Sequence, residues 1–490
     1  MKLKTVIEHI KALAEQIDPV LTDLDVTSFV IDSREVKAGD VFFALSQPEY
    51  ANNGFNGDFD DATRFVEGVF AAGAVACVVR ADRLAEHSLD KFADRLIVVD
   101  DVIVALQDLA HGVYEEWNRP VVAITGSAGK TTAKELTAHV LEYSSRKVLR
   151  NIKNYNNGLG HPLTVLNLAK EPDFDAAVLE MGMSTPMHEI ERLTRITPPD
   201  VAVVLNVLPV HVEHLGSIEN VAKAKAEIIE GMKPGGTAVL NADDHRVVAM
   251  KSLSKGITLT YGINADADVK AVDITSAGFG KTQFQLITPS GSSPVAFPLN
   301  GKHNIYNALA AASVGHSFGM SASEIADALS TVAPPPQRGE VIEFTDGFTV
   351  INDSYNSNPD ALLSMVNTLI EGSPNAERRI VVAGEMLELG NEGAQIHRST
   401  GEKIAAAGID VLIGVRGLAA ELTDGAVNGK IDEALFISDA STAGDTLVKM
   451  IRKGDVVLVK GSRGVRTEKV IEKLLEKFET VKPADGHGKA

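Results

Sequence analysis

Residues Val121-Val-Ala-Ile-Thr-Gly-Ser-Ala-Gly-Lys-Thr-Thr132 decide how this chain is read. Val121 to Ile124 is a short apolar run of the kind that forms a buried strand. Gly126 and Gly129 interrupt it, and Lys130, Thr131 and Thr132 follow. A helical pattern then begins, with Ala133, Leu136 and Val140 on one face. Strand, glycine turn, Lys-Thr and helix is the order of a phosphate-binding loop. Its glycines let backbone N–H groups approach phosphate oxygens, and the helix N-terminus adds partial positive charge. In this pattern Lys130 reaches the outer phosphates and Thr131 offers a hydroxyl to Mg2+. Thr125, Ser127 and Ala128 complete the loop. The strict motif has a glycine where Ile124 stands, so the loop is a short variant.

The chain has 490 residues, enough for about three domains. Its apolar content of 44% is ordinary for a protein with real cores. A net charge of −19 argues against nucleic acid as the main partner and requires local cations to hold any anionic substrate. The single cysteine, Cys77, lies in the apolar run 74–79 and reads as a buried strand residue. One cysteine forms no intramolecular disulfide and suits a reducing compartment. No apolar run approaches the roughly 18 residues of a membrane span. The N-terminus is amphipathic and charged with no signal-peptide core, so the cytoplasm is expected.

Phosphate-loop chemistry needs a scaffold, and the pattern supplies an α/β one. Residues 1–100 mix short strands (42–45, 74–79, 96–99) with helices and read as a small N-terminal α/β domain. A helix over 101–117 opens the central domain, 101–333. Its continuous apolar runs at 176–179 and 201–205 predict central strands of a covered parallel sheet, the P-loop type. Polar and apolar residues alternate through 265–300, which predicts an antiparallel flap. An alanine-rich helix is expected over 304–318. The run Ala333-Pro-Pro-Pro336 stops regular structure and marks a boundary. Strands expected at 349–352, 380–383, 411–414, 435–438 and 456–460 then alternate with helices, predicting a Rossmann-like C-terminal domain over 334–480. Residues 481–490 read as a disordered tail.

In open α/β sheets ligands gather at the carboxyl ends of strands. Glu180 ends the run 176–179, and His211 follows the run 201–205. With Thr131 they make a candidate Mg2+ set of carboxylate, imidazole and hydroxyl, although each taken singly also reads as a helix cap or a satisfied loop histidine. Lys225 lies on a helix, where most lysines are solvated, and spacing says nothing more. Asn154, Asn156 and Asn157 are dense in side-chain amides, which bind phosphate, sugar or peptide but also simply make turns. In the third domain, Asn352-Asp-Ser-Tyr-Asn-Ser-Asn-Pro359 puts a carboxylate and several amides at a strand end. Arg338 is the natural cation to reach across an interdomain cleft, and Lys460-Gly-Ser-Arg463 reads as an anion-binding turn.

These motifs together resemble the Mur ligase family nearly end to end. The resemblance rests on Thr125-Gly-Ser-Ala-Gly-Lys-Thr-Thr132, Asn154-Tyr-Asn-Asn-Gly-Leu-Gly-His-Pro-Leu-Thr164, Leu179-Glu-Met-Gly-Met183, His211-Val-Glu213 and Ala224-Lys-Ala-Glu227. It continues through Gly301-Lys-His-Asn-Ile-Tyr-Asn-Ala-Leu309, Asp353-Ser-Tyr-Asn-Ser-Asn-Pro359, Gly384-Glu-Met-Leu-Glu-Leu-Gly390 and Val459-Lys-Gly-Ser-Arg463. The Asp-Ser-Tyr-Asn-x-Asn-Pro and Met-Leu-Glu-Leu-Gly runs point to the members that add D-alanyl-D-alanine to UDP-N-acetylmuramoyl tripeptide.

The resemblance implies an ATP- and Mg2+-dependent amide ligase of peptidoglycan precursor synthesis, cytoplasmic and monomeric, that works through an acyl phosphate. It implies catalytic roles for Lys130, His211, Lys225 and Arg338, with Lys225 carbamylated as a metal ligand beside Thr131, Glu180 and His211. Asn304 would contact adenine, Asp353 the ribose and Arg338 the terminal phosphate. Ser33 and Arg34 would belong to a UDP-binding N-terminal domain, and Asn154, Asn156, Asn157, Tyr355, Asn356 and Asn358 to the peptide substrates. Three departures stand out. Gln47-Pro-Glu-Tyr-Ala-Asn-Asn-Gly54 replaces the family's usual uridine loop, Glu385 stands where aspartate is common, and Asn352 where a first aspartate often stands. The rivals are another amide ligase of the superfamily, such as the enzyme of the third stem-peptide residue or folylpolyglutamate synthase, and a nucleotide-binding homologue without catalysis. A P-loop kinase or GTPase is a third, although the GTPase base-reading Asn-Lys-x-Asp is missing.

Overall fold

A computed structural model describes residues 1–12, 17–55, 59–152, 154–183, 188–209, 215–276, 278–333 and 337–481. His211, the proline run 334–336 and tail residues 482–490 lie outside the described residues. The chain forms two compact units, residues 1–260 and 261–490.

The first unit opens with a sheet of four parallel strands in sequence order, β1 (Phe29–Val30), β2 (Val41–Phe43), β3 (Ala76–Arg80) and β4 (Leu96–Val99). Alternate residues feed two cores, as a strand covered on both faces requires. Phe42, Cys77 and Val79 pack with Phe70 and Leu96, whereas Phe43 and Val78 pack with Phe29 and Ile103. Cys77 is buried as expected, and burial pushes its thiol above the usual range. Helix Val102–Trp117 starts where Asp101 accepts hydrogen bonds from Ile103 N and Val104 N, a side-chain cap on two orphan donors.

A second parallel sheet follows, with β5 (Val121–Thr125), β6 (Val148–Arg150), β7 (Ala176–Glu180), β8 (Val201–Val204) and β9 (Thr237–Asn241) in the order β9-β8-β5-β7-β6. This order decides where chemistry can happen. β7 and β8 flank β5, with Ile124 level with Glu180 and Thr125 level with Val204. The loop leaving β5 therefore emerges between the carboxyl ends of its two neighbours.

β10 (Ile257–Gly262) runs through the boundary at 260, and its residues Tyr261 and Gly262 pair with β11 (Val269–Ser276) of the second unit. β11, β12 (Thr282–Thr288) and β13 (Gly291–Phe297) make the expected antiparallel ribbon. The alanine-rich helix begins at Lys302, two residues before the sequence estimate, because Gly301 takes φ +86° and turns the chain into it. A six-stranded sheet then forms from β14 (Glu340–Glu343), β15 (Thr349–Asp353), β16 (Arg378–Gly384), β17 (Val411–Val415), β18 (Glu433–Ile437) and β19 (Asp455–Lys460). Its order is β14-β15-β19-β16-β17-β18, all parallel except β14. β19 is inserted between β15 and β16, which puts Asp353 level with Lys460.

Candidate functional site

The phosphate loop is shaped by packing before any ligand arrives. Gly126 lies so close to β8 that a Cβ there would stand 2.8 Å from Leu205 Cβ. Gly129 takes φ +85°, a conformation L side chains rarely adopt, and turns the chain into helix Lys130–Tyr143. Lys130 Nζ folds back to donate to the Gly126 carbonyl at 2.8 Å. Asn206, which the sequence reading passed over, closes the loop from the end of β8. Its Oδ1 accepts from Ala128 N at 2.9 Å, and its Nδ2 donates to Ala128 O at 3.1 Å. The Ser127 hydroxyl accepts from Leu208 N at 2.9 Å, Thr132 is buried, and the Thr125 hydroxyl is buried without a hydrogen-bond partner.

Glu180 ends β7 beside this loop. Its Oε2 accepts from the Thr131 hydroxyl at 2.9 Å and its Oε1 from Asn156 Nδ2 at 2.8 Å. The carboxylate is only 4% exposed, and both of these donors are neutral. A fixed carboxylate touching a hydroxyl supplies the hard oxygen donors that Mg2+ takes, so the residues present fit that ion. Asn151 holds the carboxylate's backbone in turn. It accepts from Glu180 N at 3.0 Å and donates to Glu180 O at 2.9 Å, and buried Lys134 donates to the Asn151 carbonyl. Only contact across β6 and β7 reveals this clamp; the spacing of 151 and 180 carries no such signal. Among the described residues no cluster of three His, Cys, Asp or Glu side chains forms a metal site.

Lys225 is not a solvated lysine. It lies on the inner face of helix Ile218–Glu230 and is 2% exposed. Burial, aided by repulsion from Lys130, pushes its amine well below the usual lysine range. Two residues on, Glu227 accepts from His188 N and Glu191 N at 3.0 Å each, capping helix Glu189–Ile196.

In the second unit buried Lys460 and half-buried Asp353 form an ion pair in register, and Lys460 Nζ also donates to Asn356 O at 2.9 Å. The same two charges act on His303, whose imidazole burial holds below its ordinary value; its Nδ1 lies 3.2 Å from Ser364 Oγ. Asn304, one residue along the helix, is buried and donates to Asn300 O at 2.8 Å. The Arg338 guanidinium stands 4.2 Å from the Tyr355 ring centroid and that of Arg463 5.6 Å. Asn352 is turned away to Glu340, accepting from the Ser354 hydroxyl at 2.7 Å.

Several expected binding amides are committed to the backbone. Asn157 Oδ1 accepts from Leu159 N and Gly160 N, and Asn358 Oδ1 caps helix Pro359–Gly372 at Ala361 N. Asn356 Oδ1 accepts from Ser357 N, and Asn154 is exposed. In the N-terminal sheet Arg34 is bound to Asp32, whose carboxyl it pulls down to about 2; adjacent Ser33 is half-buried. The atypical segment 47–54 is a helix, Gln47–Asn52. Its buried Glu49 accepts from Ser46 N at 2.6 Å and Val102 N at 2.9 Å, so it braces the helix that opens at Val102.

Residues 124–315 match the Mur ligase middle domain, and residues 337–463 match the Mur ligase, glutamate ligase domain. The chain belongs to the Mur ligase family and has its three-domain fold. The UDP-N-acetylmuramoyl-tripeptide–D-alanyl-D-alanine ligase of Bacillus subtilis (strain 168) is 32% identical over 474 residues, 95% of this chain and 98% of that one. A crystal structure of MurF from Acinetobacter baumannii is similar with a TM-score of 0.84 at 28% identity, over 97% of this chain and 99% of that one. MurF from Thermotoga maritima, solved in complex with ADP, gives 0.78 at 28% identity, over 93% and 98%.

Proposed function

We propose that this chain is an ATP-dependent ligase joining D-alanyl-D-alanine to UDP-N-acetylmuramoyl tripeptide in peptidoglycan precursor synthesis. The observation that carries the reading is the phosphate loop whose Thr131 hydroxyl is hydrogen-bonded to the strand-end carboxylate Glu180, in a chain similar end to end to ligases of that name. Amide formation in water is uphill, so the tripeptide carboxylate must first be activated. Its oxygen attacks the γ-phosphorus of ATP, ADP leaves, and an acyl phosphate forms. The dipeptide amine then attacks the acyl carbon, phosphate leaves, and the nitrogen gives up its proton.

Both partners of the first step are anions, which sets the task of the protein's cations. Lys130 moves from the Gly126 carbonyl to the transferring phosphoryl, and Arg338 binds the terminal phosphate. Asn304 takes adenine and Asp353 the ribose. Thr131, Glu180, His211 and carbamylated Lys225 would hold Mg2+, which would offset phosphate charge when bound. The depressed Lys225 amine favours the carbamate, because only the neutral amine adds CO2, releasing a proton and inverting the sign of the side chain. Residues 1–100, with Ser33 and Arg34, take the UDP end; residues 101–333 bind ATP; residues 334–480 add Arg338 and Asp353 to the nucleotide and hold the acceptor near Tyr355. Asn156 serves by orienting Glu180, Asn157 by holding the turn at Leu159 and Gly160, and Asn358 by capping helix Pro359–Gly372.

No helix of the described residues is long and apolar enough to cross a membrane. Phosphate release from ATP and UDP-N-acetylmuramoyl tripeptide tests the reading. Release that depends on D-alanyl-D-alanine, and not on glutamate or a third-position amino acid, is expected. Release indifferent to the dipeptide defeats it.

A further inference from the structure

The Lys460-Gly-Ser-Arg463 turn ends in a cation that the reaction above leaves without a task. Lys460 itself is spent, since Asp353 neutralises it across the β15–β19 register. Arg463 is different. Its side chain is 61% exposed, and its protein contacts are long: 3.3 Å to Gln337 Oε1 and 3.6 Å to Glu468 Oε1. Neither is the short, two-pronged pairing a guanidinium makes with a matched carboxylate. Yet the head group is not loose. It lies over the Tyr355 ring that Arg338 also faces, and Tyr355 N is bonded to Gln337 O. The ring thus mounts two guanidiniums at one strand end, where cation–π contact fixes their direction.

We infer that Arg463 binds a peptide carboxylate of a reactant, foremost the C-terminal carboxylate of the acceptor dipeptide, and that the Tyr355 ring is its positioning residue. The inference rests on the ligase reading. An acceptor must present its amine to the acyl carbon while its own carboxylate stays inert, and a fixed fork on that carboxylate does both. The donor peptide also carries carboxylate, so the same chemistry has two sources.

The test compares full-length parent, Arg463→Met and Arg463→Lys by phosphate release, with D-alanyl-D-alanine or its C-terminal amide as acceptor. The parent should prefer the acid by about tenfold or more in KM, the scale of a hydrogen bond to a charged group. Arg463→Met should erase that preference with ATP KM held within about twofold, and Arg463→Lys should restore part of it. Tyr355→Leu should move in the same direction, and Tyr355→Phe, which keeps the ring, should cost less. If the Arg463→Met effect falls instead on the UDP-tripeptide KM while acid is still preferred to amide, the carboxylate is the donor's and the chemistry stands. An active parent whose Arg463→Met variant keeps every KM and the acid preference overturns the inference alone. Should Arg463→Met fail to fold, as thermal melting shows, Arg463→Lys and the parent's own acid-to-amide ratio decide. A parent that takes acid and amide equally, with tripeptide KM unmoved in Arg463→Lys, overturns the inference. A parent that releases no phosphate with any acceptor overturns the ligase reading and this inference together.

Discussion

The loop end of the first unit and the strand ends of the second manage charge in opposite ways. In the first, Glu180 accepts from a hydroxyl and an amide, and Lys225 is buried against the repulsion of Lys130. In the second, Asp353 and Lys460 neutralise each other in register and hold the next turn by way of Asn356 O. Buried charge is costly, so charge matched by neutral donors or by like charge is a place prepared for incoming ions. An internal pair is instead a rigid platform from which a carboxylate presents hydrogen bonds.

The sharpest way to break this contrast is Lys130→Ala. If the first unit supplies charge to the transferring phosphoryl, turnover should fall about 10²- to 10³-fold with the melting temperature nearly kept. Turnover within about threefold of the parent would remove the phosphate role. Lys225 comes next. Lys225→Arg keeps the positive charge and cannot carry a carbamate, so it should lose about 10²-fold; Lys225→Ala should recover part of its activity with added acetate. Degassed, CO2-free buffer should lower the parent's activity and bicarbonate restore it. An active Lys225→Arg variant contradicts the sign inversion.

The second unit should answer differently, in stability as well as rate. Asp353→Ala strands Lys460 and should cost about 3 kcal/mol in urea unfolding, besides weakening ATP binding. The double variant Asp353→Ala with Lys460→Met should recover much of that stability and none of the ATP affinity. Equal destabilisation of single and double variants would show that the pair is not the platform.

The smallest effect concerns the turn that carries Asn156. His161, behind it, bonds Thr197 Oγ1 at 2.8 Å, and burial pushes its imidazole from 6.5 down to about 3. The unfolded chain therefore binds a proton that the folded chain refuses between those values. Stability from His161 is full above pH 6.5 and lost as pH falls toward 3. The melting temperature of the parent should drop more between pH 7.5 and 5.5 than that of His161→Gln; parallel profiles would rule out this brace.

Legibility followed the range of the interactions. The run Val121 to Thr132 announced strand, turn and helix because each is a local preference, and the antiparallel alternation of 265–300 is likewise local. Asn157 and Asn358 read as ligand amides or as turn residues; their Oδ1 atoms accept from backbone N–H groups, and an asparagine's sequence context does not distinguish the two uses. Segment 47–54 read as a departure from the family's uridine loop, and Glu49 in it braces Val102 N across more than fifty residues. Asn151 and Asn206 carried no signal, because their partners are supplied by neighbouring strands.

What the sequence determined by itself was the α/β class, the phosphate loop and the family, since periodicity, glycine placement and motif order are written along the chain. Tertiary structure alone decided that Lys225 is buried rather than solvated and that Glu180 meets Thr131. It also decided that Asp353 is matched to Lys460. The physical reason is the same in each case: strand order fixes which distant residues share a carboxyl end. Desolvation there, not residue type, sets whether a charge is neutralised, lost or kept for a ligand.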